Sequence, residues 1–368
     1  MNLTSLRQQV GQLLIMGFEA ISFEPNLENM LKEWQPSGVI LFARNMESAQ
    51  QTHALLAACR KTVSIHPFLC VDMEGGAVDR LKKIMAPAPS AASVFASGEK
   101  PWFARHGKLI GAECHALGFN TDFAPALDLA FEASRPVLGS RVVSSDPKKA
   151  IGYARSFLRG LQSAGVLGCG KHFPGLGEGT LDTHNELAVI QKPWEALWEQ
   201  DLLPYRLLRR KLPFVMVGHA NYPAVTGDKL PASISYKWMT GILRNKLGYR
   251  GLIVSDDLEM GAVLALGSIE LTAVESIRAG ADIILVCRQA ERVHRAWQAL
   301  VKEAERDPAF ARRVAESAGR VLAFKKRAKE LKKFPSRFSV ASVEKARKEM
   351  AKFAAQLAQA SAQKSFTI

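Results

Sequence analysis

The sequence predicts an α/β fold, a (β/α)8 TIM-type barrel followed by a C-terminal helical tail, and three observations carry that expectation. Eight short apolar runs recur along the chain, at 12–18 (QLLIMGF), 38–42 (GVILF), 67–72 (PFLCVD), 121–128 (TDFAPALD), 165–173 (GVLGCGKHF), 213–219 (PFVMVGH), 251–257 (GLIVSDD) and 281–287 (ADIILVC). Most are continuous rather than alternating, as expected of strands covered on both faces of a parallel sheet. Between them lie stretches with helical spacing, among them SAQQTHALLAACRKT, KKAIGYARSFLRGLQSAG and SIELTAVESIRAG, the last two ending on a glycine stop signal. Strand and helix alternating in this way is the signature of the barrel.

The composition agrees with such a fold. A chain of 368 residues with 48% hydrophobic content can bury a large core, as one barrel or as two smaller domains. The opening MNLTSLRQQVGQLLIMGF has a short apolar run interrupted by Gln12 and no small-residue cleavage site, so no secretory leader is expected. No apolar run reaches the 18 residues or so of a membrane span. Five widely spaced cysteines (Cys59, Cys70, Cys114, Cys169, Cys287) sit mostly inside apolar runs without a C-x-x-C pair, which predicts buried free thiols in a reducing, cytoplasmic compartment. The eight histidines form no H-x-x-x-H or H-E-x-x-H pattern, so neither a metal nor a cofactor is expected.

Charge and periodicity divide the chain near its end. Residues 320–353 hold 12 Lys/Arg against 3 Glu, that is +9 of the net +14. Basicity is therefore read as a property of the tail and as a solvated helix face rather than a nucleic-acid site. FPSRF at 334–338 breaks the helical pattern, which resumes with Val343, Ala346, Met350, Phe353 and Leu357 on one stripe expected to pack against the barrel. The expected division is a catalytic barrel over 1–333 and a basic amphipathic tail over 334–368.

Barrels of this kind do their chemistry at the C-terminal strand ends. Here those ends carry Asp72, Asp128, Lys171 with His172, His219 and the pair Asp256-Asp257. An aspartate after a strand is often only a helix N-cap, and that reading suffices for Asp128 or Asp257 alone; for five convergent ends it is strained. After the fifth run comes GKHFPGLGEGTLDTHNE, residues 170–186, whose glycine-rich segment 174–184 has little apolar anchorage and is expected to move over a pocket. Asp182 stands two residues before His184, a spacing at which a carboxylate can orient an imidazole for proton transfer, although an isolated D-x-H is more often a cap and a surface histidine. Lys171, His172, Asp72 and Arg80 bring both charge signs to one mouth, which suits a hydroxyl-rich, uncharged substrate. Neither the P-loop pattern nor G-x-G-x-x-G occurs.

These motifs carry a family likeness. KHFPG with DTH following, together with VDMEGGAVDR, DFAPALDL, MVGHANYP, PASISYKWM and GLIVSDDLEMGAV, resembles the family 3 glycoside hydrolases over roughly residues 5–330. More narrowly it is similar to their single-domain β-N-acetylglucosaminidase branch, which acts in bacterial cell-wall recycling. The resemblance implies retaining cleavage of terminal β-linked sugars through a glycosyl-enzyme on Asp256, with His184 as acid/base and Asp182 as its partner. It implies sugar-binding roles for Asp72, Arg80, Arg141 in GSRVV, Lys171 and His172. Retaining glycosidases usually employ two carboxyl groups; an imidazole with an ordinary pKa near 6.5 is suited to the second task at neutral pH. The chain departs from the family loop KHFPGHGD at Leu176 and Glu178. The expected partner is a small N-acetylglucosamine-containing muropeptide or disaccharide acted on by a monomer, with no nucleic acid and no membrane span. Two other functions share these residues: a β-glycoside phosphorylase, because a neutral histidine does not repel phosphate, and a non-catalytic glycan-binding protein.

Overall fold

The computed structural model describes residues 5–179 and 187–365. Each predicted run contributes one barrel strand: β1 (Leu14–Met16), β2 (Gly38–Ile40), β3 (Phe68–Val71), β4 (Thr121–Asp122), β5 (Cys169–Phe173), β6 (Phe214–Val217), β7 (Leu252–Asp257) and β8 (Ile283–Val286). Neighbours follow the order β4-β3-β2-β1-β8-β7-β6-β5, and every pairing is parallel. The two ends of that order meet. Asp122 N donates to Leu167 O at 2.8 Å, Cys169 N to Ala124 O at 2.8 Å and Leu127 N to Lys171 O at 2.6 Å, which closes the barrel.

Several strands are shorter than the runs that predicted them. The run at 121–128 keeps only Thr121–Asp122 as regular strand, since Pro125 has no N–H to give to a ladder. The continuous apolar character has a direct cause. Within a strand, alternate residues enter two separate cores: Ile15, Ile40, Phe68, Cys70, Cys169, Phe214 and Met216 fill the barrel interior, while Leu14, Met16, Val39, Leu69, Val71, Val215 and Val217 pack under the helices. Each fully buried large side chain contributes about 1.5–3 kcal/mol relative to exposure.

The bottom of the barrel is closed by the helix Pro308–Arg327. Phe324 meets Phe214 with ring centroids 5.5 Å apart, and Phe214 meets Phe68 edge to face at 5.0 Å. Lys325 lies beside this plug and is buried; its Nζ donates to Gln12 Oε1 at 2.9 Å and to Ser37 O at 2.7 Å. Burial pushes its pKa from 10.5 down to about 7.

Beyond the plug the segment at 334–338 is pinned rather than free: Phe334 and Phe338 pack on His53, whose Nε2 lies 3.0 Å from Pro335 O. The helix Val340–Ser365 then buries Val343, Ala346, Met350, Phe353 and Leu357, the stripe read from the sequence. Phe353 packs against Trp102 and His106 of the helix Lys100–Leu117. Lys345, Lys348 and Lys352 face solvent.

The buried lysine sets a testable pH dependence. Between pH 7 and 10.5 the unfolded chain holds a proton on Lys325 that the folded chain does not, so this residue makes stability rise with pH across that window. The stability difference between wild type and Lys325→Met is expected to grow in favour of wild type by up to about 1.4 kcal/mol per pH unit there. Denaturant unfolding at pH 7.5 and 9.5 measures it, and a pH-independent difference contradicts this account.

Candidate active site

The C-terminal strand ends surround a cavity of about 200 Å3 lined by residues from seven segments, among them Phe42, Asp72, Glu74, Arg80, Arg141, Lys171, His172 and Asp256. It is smaller than the roughly 300–1,000 Å3 of sites that hold drug-sized ligands, and suits one small polar molecule. Local backbone chemistry places each of these groups. β3 delivers Asp72 and runs directly into a hairpin, Met73–Gly75 with Val78–Asp79, which brings Glu74 and Arg80 to the same rim. The hairpin turns on Gly75 at φ +85°, where a Cβ would stand 2.1 Å from Pro89 O, so no other residue fits.

Glu74 is the electrostatic centre of the mouth. Its carboxylate accepts from Arg141 through two bonds of 2.9 Å and lies 2.7 Å from Lys171 Nζ, which also donates to Asp72 Oδ1 at 2.8 Å. Burial alone would raise the Glu74 carboxyl, but the Arg141 and Lys171 charges override it and hold the group well below the usual carboxylate range. The same pairings keep Lys171 above its ordinary value despite its burial. Sequence reasoning missed Glu74 although it lies inside VDMEGGAVDR; the only signal was a second acid two residues after Asp72, and its meaning depends on the hairpin.

His172 is fixed from two sides. Its Nδ1 lies 2.7 Å from Asp128 Oδ2, and Arg141 Nη2 lies 3.4 Å from its Nε2. Donation from Nδ1 to the carboxylate leaves the Nε2 lone pair facing the guanidinium. Asp128 also accepts from the backbone N–H of Leu176 at 2.7 Å, so one buried carboxylate positions both the imidazole and the start of the following loop. The cap reading that suffices for Asp128 in the sequence therefore understates it. Arg80 reaches over the Phe42 ring with 5.8 Å from guanidinium carbon to centroid, and its Nε has no hydrogen-bond partner among the described residues.

The two adjacent aspartates are separated by their surroundings. At Asp256 burial favours the neutral acid, yet His172, His219, the N–H of Asp257 and Lys171 outweigh it and hold the carboxyl below its ordinary value. At Asp257 burial dominates and lifts the carboxyl to about 7; its Oδ1 is occupied by the N–H groups of Glu259 at 3.0 Å and Cys287 at 3.2 Å. Both carboxylates accept from backbone, Asp256 Oδ1 from the N–H of Asp257 at 2.8 Å, but only Asp256 is held below its ordinary value.

Asp182 and His184 lie outside the described residues. The first half of their loop does not match the expectation of weak anchorage. Leu176 is buried, Tyr222 donates its hydroxyl to Gly175 O at 2.7 Å, and Glu178 lies 3.0 Å from Lys192 Nζ. Lys192 also lies 2.7 Å from the buried Asp201 and sits 4.3 Å from the centre of the Phe131 ring. Both departures from the family loop therefore anchor residues 174–179: Leu176 through apolar packing and Glu178 through an ion pair with Lys192.

Comparison with known proteins agrees with this geometry. Residues 5–324 match the glycosyl hydrolase family 3 N terminal domain. The β-hexosaminidase of Nitrosomonas eutropha is 37% identical over 261 residues, 69% of this chain and 74% of that protein. That of Alkalilimnicola ehrlichii is 36% identical, over 76% of this chain and 82% of the relative. Among solved structures, a glycoside hydrolase family 3 β-N-acetylglucosaminidase from Paenibacillus superposes with a TM-score of 0.89 at 31% identity, covering 95% of this chain and 68% of that one. A β-N-acetylhexosaminidase from Beutenbergia cavernae gives 0.81 at 28% identity, over 88% of this chain and 99% of the other.

Removing one partner of a buried ion pair strands the other, at a cost of about 3–5 kcal/mol. Glu74→Gln, which leaves Arg141 and Lys171 facing one another, is expected to lose at least about 3 kcal/mol of stability in urea unfolding. A loss below about 1 kcal/mol would show that the network is not coupled as described.

Proposed function

Because the chain belongs to glycosyl hydrolase family 3 and is a glycoside hydrolase, we propose that it is a retaining exo-β-N-acetylglucosaminidase. The observation that carries the proposal is Asp256: a carboxylate lining a sugar-sized cavity and held below its ordinary value by His172, His219, the N–H of Asp257 and Lys171, where burial lifts its neighbour Asp257. Asp256 attacks the anomeric carbon, the glycosidic C–O bond breaks, and His184, oriented by Asp182, gives its proton to the departing oxygen. Water then attacks the same carbon, His184 takes a proton from it, and the aspartate leaves with its electron pair. Neither His184 nor Asp182 lies among the described residues, and their roles rest on the family motif alone.

Asp72, Lys171, His172, Arg80 and Arg141 divide the remaining work. Lys171 donates to Asp72 from within the Glu74 network, so that both groups stand ready for sugar hydroxyls without being free to reorient. Arg80, which lines the cavity beside Phe42, brings a guanidinium to substrate oxygens. Arg141 is bound on two of its nitrogens by Glu74, and its contribution is to hold Glu74 and His172 in place as much as to touch sugar.

The natural substrate in this reading is a terminal β-linked N-acetylglucosamine on a cell-wall fragment, as in the β-N-acetylglucosaminidase branch that the motifs resemble. A cytoplasmic site of action fits five buried cysteines, all free. No helix among the described residues is long and apolar enough to cross a membrane.

The test is release of 4-nitrophenol from its β-N-acetylglucosaminide and β-glucoside, with and without phosphate. Asp256→Ala is expected to abolish turnover of the acetamido sugar. His184→Ala is expected to lose about 10²- to 10⁴-fold on a disaccharide, whose leaving group needs the proton, and much less on the nitrophenyl sugar. Turnover that requires phosphate favours phosphorolysis, and a folded wild type inactive on both sugars favours a binding role.

A further inference from the structure

The opposite end of the barrel carries a second and larger concavity. It measures about 1120 Å3 and opens at the N-terminal ends of β5, β6 and β7, beside Leu167, Pro213 and Gly251. Its walls come from the helix Pro147–Ser163, the turn at 209–213, the loop at 245–251 and the end of the helix Pro308–Arg327. Six arginines and three lysines line it against one carboxylate, Glu330. None of the nine is within ion-pair distance of a carboxylate among the described residues; Arg209 donates to the backbone oxygen of Arg206, and Arg327 lies over Phe324.

Single arginines elsewhere are also found without an acid among the described residues, as where Arg7 lies over Trp297, but other basic clusters carry their acids with them, as where Arg278 meets Glu303 and Asp307, or where Arg295 meets Glu270. Nine like charges facing one another across a concavity repel and cost stability, so a purely structural origin is disfavoured. The charges come from four separate stretches of sequence and converge only in the fold. A concavity focuses their field and concentrates anions at the barrel's closed end, remote from the sugar cavity.

The chemistry of the lining narrows the ligand. Arginine's planar fork pairs with phosphate through two parallel bonds, and six such forks outnumber the lysines. Phe324, the one aromatic residue of the lining, is buried in the plug, and the half-buried Trp194 and Trp198 beside the groove are already engaged by Lys246, so the lining itself presents no open ring for a nucleobase. Cations on several walls surround a ligand instead of meeting a flat sheet of headgroups. We infer that this groove is a binding site for a compact, multiply phosphorylated anion.

Binding is read directly, independently of hydrolysis. Inorganic tripolyphosphate is titrated into the full chain by calorimetry at low and at physiological salt, against the double variant Arg159→Glu, Arg250→Glu. Expected are one saturable site, weaker in higher salt, and a loss of about tenfold to a hundredfold for each charged bond removed. Melting curves confirm that the variant is folded, and its turnover of the nitrophenyl sugar is expected to equal that of wild type. The inference is overturned by no saturable uptake in wild type, by equal affinity in the double variant, or by competitive inhibition of hydrolysis, which would place the anion among the arginines of the sugar mouth. Tighter binding to phosphatidylglycerol vesicles or to a single-stranded oligonucleotide than to tripolyphosphate overturns it as well.

Discussion

Closure of the sheet between β4 and β5 is the constraint on which the rest of this molecule depends. A few backbone hydrogen bonds between residues 120–127 and 167–171 join the two ends of an all-parallel order. Once joined, the sheet has no free edge and two buried surfaces, so strand residues are apolar on both faces except where a buried polar group has a partner, as Asp122 of β4 accepts from Met73 N. Parallel closure also sends all eight C-terminal ends to one rim. Asp72, Lys171, His172 and Asp256, far apart in the chain, thereby come to line one small cavity.

The mouth then faces a second physical problem, which is to keep charged groups in place where water is scarce. It is met by pairing Glu74, Lys171, Arg141 and Asp128 more than once. Glu74 takes two bonds from Arg141 and one contact from Lys171, Lys171 reaches Asp72, and Asp128 holds His172 together with the loop that follows it. Such a network gains little net stability over an apolar packing of the same volume. What it gains is orientation: the groups that line the cavity are held in one arrangement. Asp256 has no ion pair among the described residues; its Oδ1 takes one backbone N–H, and the nearby His172, His219 and Lys171 help to hold it below its ordinary value, while Asp257 takes two backbone N–H groups.

Charge is organised differently at the two ends of the barrel. At the mouth, positive and negative groups are matched; at the bottom, nine cations meet one acid. Read along the chain, basicity concentrates in residues 320–353, and the lysines of the final helix do face solvent. Yet seven of the nine groove cations, among them Arg155, Arg159 and Arg250, come from outside that segment. Linear charge counts have no means of showing a groove assembled from four stretches.

The sequence by itself determined the barrel, the positions of its strands, the buried stripe of the last helix and the motifs that mark the family, because each depends on residues close together in the chain: apolar runs, helical spacing, a glycine after a helix. It also placed Asp256, Lys171 and His172 at strand ends, since in this fold strand polarity alone decides which end carries chemistry. Tertiary structure decided what pairs with what. Glu74 became the centre of the mouth only when a two-glycine turn folded it back toward Lys171 and brought Arg141, 67 residues away, alongside. Glu178 and Leu176, departures from the family loop when read as sequence, became anchors once Lys192 and the core met them. Pairing of charges across long sequence separations depends on distances that only closure of the barrel sets, and no local pattern of residues encodes them.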